Sequence, residues 1–322
     1  MKKLKNYMFL TIVCAVLSVQ TAFASRLLVP GGQVIGLEVQ DGTLSVAGFD
    51  EQMGQNAKNC GLQLGDRILR VDGSSVSSPV EIQNKLNVSD GQVELSILRG
   101  KEEKTILFQP SITSEGPKLG VYLRQGVTGV GTVTWYDPAT ERFGALGHGV
   151  NTPDGKLVKM TRGNVYTASV LSVKQGRSGT PGQLMSTVTG TSPIGTVFKN
   201  TVQGVFGSAS LSKNAEALPV GGKGVAHTGK ATIRSTVDGT QTKEYEIEIL
   251  KIYKNADETG RNMLLKVTDP ALLAATGGIV QGMSGSPIIQ DGKLVGAVTH
   301  VLVNDPTTGY GIFIENMLDA AA

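Results

Sequence analysis

A serine set between glycines is the residue in this chain best suited to nucleophilic chemistry. It lies in the hexapeptide Gly-Met-Ser-Gly-Ser-Pro at 282–287, ahead of a sequence typical of a β-hairpin. Gly282 lets the backbone curl so that the N–H groups of Gly282 and Ser284 can point into one small pocket. Such a pocket would stabilise the oxyanion of an acyl-transfer transition state. The hexapeptide thus predicts that Ser284 is the nucleophile of a serine peptidase, although an ordinary Gly/Ser/Pro turn has the same composition.

A serine hydroxyl needs a base to accept its proton, and the chain contains three histidines. His148 ends the segment Gly-Ala-Leu-Gly-His and has glycines on both sides, which leave room around its ring. His300 follows the serine closely along the chain, at the end of an apolar strand, and is expected to line the site or to cap the sheet. His227 has the least support. His148 is therefore the candidate general base.

A carboxylate usually holds such an imidazole in the correct tautomer. Asp269, in Thr-Asp-Pro-Ala, is well suited to cap a helix, with proline at the first helical position, and that role alone would explain it. Other aspartates lie in Asp-Pro or Asp-Gly contexts and are expected to be structural turn residues: Asp137, Asp154, Asp238 and Asp291. From the residues alone, the third member of the constellation stays open.

The elements that must position these side chains are predicted to be short strands. The chain has 322 residues and 42 glycines, few aromatic residues and recurring β-branched residues. This composition favours many strands and tight turns over helical bundles, and the length fits two modest domains. Residues 119–322 show one strand pattern after another, separated by loops rich in Gly, Asn and Thr. The pattern predicts a β-barrel or a pair of barrels.

Residues 1–24 are typical of an export signal rather than of a folded element. Three lysines precede the apolar run Tyr7–Val19, and Ala22-Phe23-Ala24 then offers small residues to a signal peptidase. Cleavage is expected before Ser25, and an uncleaved membrane anchor is the alternative. The sequence therefore predicts an exported protein with membrane association through this segment before cleavage.

The remaining composition excludes several function classes. Removing the three signal lysines from the 30 basic residues leaves 27, equal to the 27 acidic residues, so no nucleic-acid partner is expected. Cys14 would leave with the signal segment, and Cys60 is expected to be a small buried side chain. Neither a disulfide framework nor a metal-binding spacing is present. We expect no metal and no cofactor.

The segment 34–110 is predicted to be one module, between linkers at 25–33 and 111–118. It begins with a strand over Val34–Val39 and continues with a helix from about Pro79 to Leu86 and two closing strands. Through Gly-Leu-x-x-Gly-Asp at 61–66 and Val-Asp-Gly at 71–73 it resembles a PDZ domain of the bacterial-protease type.

The PDZ resemblance implies a binding site for an extended peptide. Such domains add the peptide as a strand and capture its terminal carboxylate on backbone N–H groups. By resemblance, Ile35-Gly36-Leu37 is the candidate carboxylate loop. The alternative is that Gly36 merely bends an edge strand.

The chain as a whole closely resembles the SpoIVB family, the stage IV sporulation serine peptidases of endospore-forming Firmicutes. The motifs that carry this resemblance are 276–290, 296–301, 304–311, 144–148, the strand from Gly131, and the PDZ module with its entry at 30–33. Together they cover essentially the whole chain after the signal segment. The resemblance implies a mainly β fold, in which an N-terminal PDZ domain precedes a trypsin-like double β-barrel serine peptidase domain at 119–322.

The same resemblance implies a catalytic triad of His148, Asp269 and Ser284, in the chain order used by chymotrypsin-like enzymes. Gly282 and Ser284 would supply the oxyanion hole. Ser286 occupies the place where these peptidases usually have a second glycine, so a structural role in the loop is expected for it.

Members of this family cleave themselves near the N-terminus. They then cut a regulatory membrane protein of an intramembrane-protease complex, which triggers processing of a sigma-factor precursor. The expected location is the forespore membrane or the space between forespore and mother cell. The alternatives are a catalytically idle PDZ scaffold that binds peptides, and an envelope quality-control protease. In the quality-control class the PDZ domain follows the protease domain, whereas here it precedes it.

Overall fold

The computed structural model describes residues 26–152, 155–211, 216–222, 224–254 and 260–322. The predicted signal segment 1–24, Cys14 and Asp154 lie outside the described residues. Within the described ranges, no helix is long and apolar enough to cross a membrane.

Strands dominate the described chain. In order they are β1 (Leu27–Pro30), β2 (Val34–Phe49), β3 (Arg67–Val71), β4 (Ser74–Ser75), β5 (Val93–Arg99), β6 (Glu102–Phe108), β7 (Ser111–Thr113), β8 (Gly116–Lys118), β9 (Val121–Asp137), β10 (Arg142–Ala145), β11 (Arg162–Lys174), β12 (Gln183–Val188), β13 (Gly195–Thr201), β14 (Gly204–Ala209), β15 (Leu218–Pro219), β16 (Gly229–Asp238), β17 (Gln241–Ile252), β18 (Met263–Val267), β19 (Pro287–Gln290), β20 (Lys293–Leu302) and β21 (Asp305–Phe313).

The helices of the described residues are short, and two of them begin with a side-chain cap followed by a proline. They are α1 (Gly54–Asn59), α2 (Pro79–Asn87), α3 (Pro270–Thr276) and α4 (Ile314–Ala321). Ser78 caps α2 by accepting a hydrogen bond from the Glu81 N–H at 3.2 Å, and Asp269 caps α3. Proline at the first position suits both helices, because its missing N–H would have no partner there.

The described chain contains two closed rings of strands. In the first barrel the order is β9–β10–β14–β13–β11–β2, and β2 closes the ring by pairing with β9. The second barrel is the closed ring β16–β17–β18–β21–β20–β19. Apolar side chains that alternate along each strand fill the two cores, around Val133 and Phe143 in the first and around Ile233 and Ile288 in the second. The predicted mainly β fold with paired barrels is confirmed.

The N-terminal module packs around a core of its own. The second half of β2 joins β3, β5 and β6, and α1 and α2 cover the sheet. Asp66 is buried and receives a two-pronged ion pair from Arg99, with both N···O distances 2.7 Å. This ion pair, in which only Asp66 is fully buried, ties the Gly-Leu-x-x-Gly-Asp turn to β5. The prediction of an N-terminal PDZ module ahead of the peptidase part is confirmed.

The boundaries inside the chain differ from those that the sequence predicted. Strand β2 is continuous from Val34 to Phe49: its first half belongs to the first barrel and its second half to the N-terminal module. The module therefore does not begin at residue 34. Segment 25–33 contains β1, which pairs with β15 and β9, and segment 111–118 contains the β7–β8 hairpin, so neither is an unstructured linker. Alternation of apolar and polar residues predicts a strand but does not show which other strands it pairs with.

Candidate active site

The serine loop, residues 280–287, is a tight turn between α3 and β19. The Met283 N–H donates to the Val280 carbonyl at 3.1 Å, and the Ser286 N–H donates to the Met283 carbonyl at 3.0 Å. Met283 is fully buried and anchors the turn in the second barrel. Ser284 lies at the exposed side of this turn and is half-buried.

The first barrel holds the serine loop from the other side. The Thr132 N–H donates to the Ser284 carbonyl at 3.1 Å, and the Thr132 hydroxyl donates to the Gly282 carbonyl at 2.7 Å. Gly285 has a φ of +99°, and a Cβ there would clash with the Thr132 carbonyl oxygen and the Leu146 N–H. Only glycine fits this close approach of the two barrels.

Two backbone N–H groups of the loop are left to donate to a ligand. Across the described chain, the N–H groups of Gly282 and Ser284 have no protein acceptor, whereas those of Met283 and Gly285 are bonded to Val280 and Val298. Because Thr132 fixes the carbonyls of Gly282 and Ser284, the loop cannot easily rotate to satisfy them internally. An oxyanion hole needs backbone N–H donors that are not already bonded, and these two meet that requirement.

The two serines of the loop have different environments. The Ser284 hydroxyl donates to the Thr299 carbonyl of β20 at 2.8 Å. Ser286 has no exposed surface, and its hydroxyl bonds the Ser235 hydroxyl at 3.1 Å. Only Ser284 is accessible to a substrate, and Ser286 joins the loop to β16.

His148 follows β10 at a sharp turn in which Leu146 and Gly147 both have positive φ angles, +70° and +69°. Its Nδ1 lies 3.0 Å from the Gly149 carbonyl oxygen. A carbonyl can only accept, so Nδ1 carries the proton and Nε2 keeps a free lone pair. Burial lowers the pKa of His148, and the bond to Gly149 opposes that shift without reversing it. The ring is therefore neutral at pH 7 and able to act as a base.

His300 is the second imidazole of the site. It follows Thr299 on β20, and its ring centroid lies 5.4 Å from that of His148, with the planes tilted by 38°. Its Nδ1 is buried and has no hydrogen-bond partner among the residues described. Burial, followed by the charges of His148 and Arg261, lowers the pKa of His300 to about 4. Strand β20 thus presents Thr299 to Ser284 and His300 to His148.

Asp269 makes its hydrogen bonds at the start of α3 and to the neighbouring strand. One carboxylate oxygen accepts the Leu272 N–H at 2.9 Å and the other accepts the Glu246 N–H at 3.3 Å. Among the described residues, the pKa of His148 is shifted by burial and by the Gly149 carbonyl, not by a carboxylate. Both oxygens of Asp269 serve α3 and the neighbouring strand, so the structure does not support its predicted role in orienting His148. The N-cap interpretation of Asp269 accounts for its contacts.

His227 lies apart from the other two histidines. It is exposed, and its Nε2 bonds the Asp291 carboxylate at 2.9 Å. The Thr228 carbonyl and then Asp291 raise its pKa. In the described parts of the chain, no group of three or more His, Cys, Asp or Glu side chains could hold a metal ion.

The candidate carboxylate loop Ile35-Gly36-Leu37 also lies elsewhere than predicted. It pairs with β11 on one edge and with β9 on the other, and its two apolar side chains are buried in the first barrel. Both edges of this strand segment are therefore occupied, and the structure does not support the prediction that it binds a peptide carboxylate.

A second segment has the features that a peptide site needs. Residues Val121–Gln125 of β9 pair with β2 on one edge only. The Gln125 side chain donates to the carbonyl of Ser77, just before α2, and Gln83 of α2 donates to the Pro117 carbonyl of β8. The N–H groups of Leu119 and Gly120, just before this strand, have no acceptor within the described residues. The signal that could have found this site is the pattern apolar-Gly-apolar, which recurs as Leu119-Gly120-Val121 at the end of the module.

Comparison with known proteins gives one family match. The SpoIVB peptidase S55 family model matches residues 115–318, which contain both barrels from β9 onward together with the serine loop and His148. No curated protein sequence matches the chain.

Solved structures align with parts of the chain at low similarity. The active form of the Rv3671c protease from M. tuberculosis has 14% identity and a TM-score of 0.37, over 61% of this chain and 75% of that chain. Its inactive form has 14% identity and a TM-score of 0.36, over 59% and 82%. The PDZ domain of the SdrC-like protein from Listeria monocytogenes has 20% identity and a TM-score of 0.22, over 25% and 85%. The fold assignment rests on the strand pairings rather than on these alignments.

Proposed function

The chain belongs to the SpoIVB peptidase S55 family, a family of serine peptidases, and from this premise we propose that it is an endopeptidase with Ser284 as nucleophile and His148 as general base. One observation carries the assignment. Ser284 and His148 contact consecutive residues of β20, beside two N–H groups that have no acceptor in the described chain. These contacts support a site in which nucleophile, base and oxyanion donors lie at the junction of the two barrels.

The geometry suggests how the residues act in turn. The Ser284 hydroxyl rotates from the Thr299 carbonyl towards Nε2 of His148, which takes its proton as Oγ attacks the peptide carbonyl. The carbonyl oxygen becomes an oxyanion and accepts hydrogen bonds from Gly282 and Ser284. His148 then gives the proton to the leaving amine, and water hydrolyses the acyl-enzyme with His148 again as base.

The biological role is proposed from the family and from the N-terminal sequence. In this proposal the protein is exported, is associated with the membrane through segment 1–24 before cleavage, and acts at the forespore membrane or in the space outside it. It cleaves its own N-terminal region and then a regulatory membrane protein of an intramembrane-protease complex. That second cleavage triggers processing of a sigma-factor precursor.

N-terminal sequencing of the protein expressed alone tests the nucleophile. The wild type is expected to show a mature N-terminus, and Ser284→Ala to keep the longer one. Ser286→Ala is the matched control on the same loop, since its hydroxyl only contacts Ser235 and should be dispensable for cleavage. Continued maturation of the Ser284→Ala protein would contradict the assignment.

The N-terminal module favours a second function, peptide binding, which the protein could perform with or without catalysis. Within the described chain, one edge of Val121–Gln125 is unpaired, and the N–H groups of Leu119 and Gly120 just before it have no acceptor. We propose that a peptide adds to this edge as a strand and places its C-terminal carboxylate on these N–H groups.

Two measurements test whether the protein is an active peptidase and whether its N-terminal module binds peptides. Reaction of the purified protein with a fluorophosphonate probe reports an active Ser284, and an unlabelled protein would favour the idle scaffold. Binding of fluorescent peptides with a free or an amidated C-terminus reports on the module, and equal affinities would contradict carboxylate capture.

A further inference from the structure

We propose that the outer edge of β12 binds the polypeptide substrate as an added strand, directly beside the serine loop. The inference rests on the proposed function, because it names a substrate-binding surface of the same serine peptidase site. The substrate that fits this edge is an extended, unfolded segment with an apolar side chain two or three residues from the bond that is cut.

Strand β12 has one edge that is free over most of its length. It pairs with β11 from Gln183 to Val188, and no other strand of the described chain pairs with it. Backbone groups of successive residues point to opposite edges of a strand. The Leu184 N–H points outward and donates to the Gln281 carbonyl at 2.8 Å, so the N–H groups of Ser186 and Val188 point outward as well. Within the described residues, neither of these two has an acceptor beyond the edge.

The free edge begins at the serine loop. Gln281 forms a parallel bridge with Gln183, so the loop itself occupies the start of this edge. The next residue is Gly282, a proposed oxyanion donor, and a Cβ on it would lie 3.1 Å from the Leu184 Cβ. Ser186 lies two residues further along β12, about 7 Å at the spacing of a strand. A polypeptide whose reacting carbonyl lies at the oxyanion hole therefore needs only two or three more residues to reach the free edge.

The side chains along this edge are exposed and partly apolar. Met185 is 46% exposed, and Leu171, in the β-bulge of β11 opposite it, is 69% exposed. Side chains of adjacent strands pack against each other in pairs, so an added strand would place one of its own side chains on Met185. An apolar side chain is expected there, because it would remove apolar surface from water.

Strand addition also sets the conformation of the substrate. The outward groups of Ser186 and Val188 bond only to a backbone that is extended and not already paired, which excludes segments inside a folded helix or sheet. A small active-site reagent that reacts with Ser284 does not extend as far as Ser186. Binding at the edge and chemistry at Ser284 can therefore be measured separately.

The first test compares the cleavage rate of fluorescein-labelled casein, an unfolded protein, with the rate of fluorophosphonate labelling of Ser284. Ser186→Pro removes an outward N–H but no bond to β11, and the buried Ser186 hydroxyl has no partner in the described chain to lose. The ratio of cleavage to labelling should fall by about tenfold, because a hydrogen bond to the substrate is lost. Met185→Lys should lower the ratio by about threefold, because lysine on an edge opposes strand addition. Leu107→Lys is the matched control, since Leu107 is also exposed on a strand, β6, but lies in the N-terminal module; its ratio should equal that of the wild type.

The second test needs no catalysis. Amide hydrogen exchange of the Ser284→Ala protein is followed with and without casein, and the amides of Ser186 and Val188 should exchange more slowly when casein is present. Unchanged exchange at these amides overturns the proposal, and so does a wild-type ratio in both Ser186→Pro and Met185→Lys with thermal unfolding unchanged. A wild-type protein that is not labelled removes the proposed function itself, whereas the exchange measurement still decides whether the edge binds a polypeptide.

Discussion

Replacing Asp269 separates a helix cap from a triad member, because the two roles predict opposite results for the same variant. Asp269→Asn removes the negative charge but keeps an oxygen that can accept the Leu272 N–H, now 2.9 Å from Oδ1. Asparagine is as good an N-cap as aspartate, so the stability should change by less than about 0.5 kcal/mol. Loss of charge from a triad carboxylate would instead lower kcat by about ten-thousandfold.

Asp269→Ala gives the magnitude of the cap itself. It removes the acceptor for Leu272 and the longer bond, 3.3 Å, to the Glu246 N–H. Loss of an N-cap costs about 1 kcal/mol, with a range of roughly 0.5–2 kcal/mol. In a domain of this size that corresponds to a decrease in Tm of about 2–4 °C per kcal/mol. Ser78→Ala is the matched control, since Ser78 caps α2 in the N-terminal module with one bond of 3.2 Å.

The assay combines thermal unfolding with the rate of fluorophosphonate labelling. We expect wild-type labelling in Asp269→Asn, and in Asp269→Ala a lowered Tm with labelling intact at low temperature. A loss of labelling by orders of magnitude in Asp269→Asn, at unchanged Tm, would refute the reasoning and return Asp269 to the active site.

Three further predictions follow from the same contacts. Gly285→Ala should abolish labelling, because its Cβ would collide with the Thr132 carbonyl and drive the serine loop from the first barrel; wild-type labelling would contradict this. Thr132→Val should slow labelling while Tm changes little, because the hydroxyl bond of 2.7 Å to the Gly282 carbonyl is lost and the oxyanion donors loosen. The free energy of unfolding should fall as the pH drops from about 6.5 to 4, because His300 binds a proton near pH 6.5 in the unfolded chain and only near pH 4 in the folded protein. Urea unfolding at pH 7 and pH 5 measures this fall. The fall should be smaller in His300→Phe, which has no imidazole at this position.

Short-range features of the site could be predicted from the sequence. The turn at Gly282–Pro287 depends on glycine positions and on a proline, which are local properties, and the predicted helix from Pro79 agrees with α2 because its cap and its apolar spacing are also local. The different roles of Ser284 and Ser286 could also be predicted from the sequence. When two serines lie two residues apart in a tight turn, one of them faces the core.

Long-range pairing could not be predicted in the same way. The alternation of Val34–Val39 predicts a strand, but both the N-terminal module and the first barrel offer neighbours for it, and the choice depends on β9 and β11. The same limit applies to Asp269. Its role as a helix cap could be predicted from Thr-Asp-Pro, whereas its position relative to His148 depends on how α3 packs in the folded chain.

The site belongs to the junction of the two barrels and not to either one. Ser284 is carried by the second barrel, yet its carbonyl is held by Thr132 of the first. His148 is carried by the first barrel, yet the glycine before it packs so closely on Thr299 of the second that a Cβ there would meet the Thr299 side chain. Each of the two proposed catalytic groups is therefore held in part by the barrel that does not carry it. Any shift of one barrel against the other must separate His148 from Ser284 and disturb the Gly282 N–H at the same time, so base and oxyanion hole should be gained or lost together.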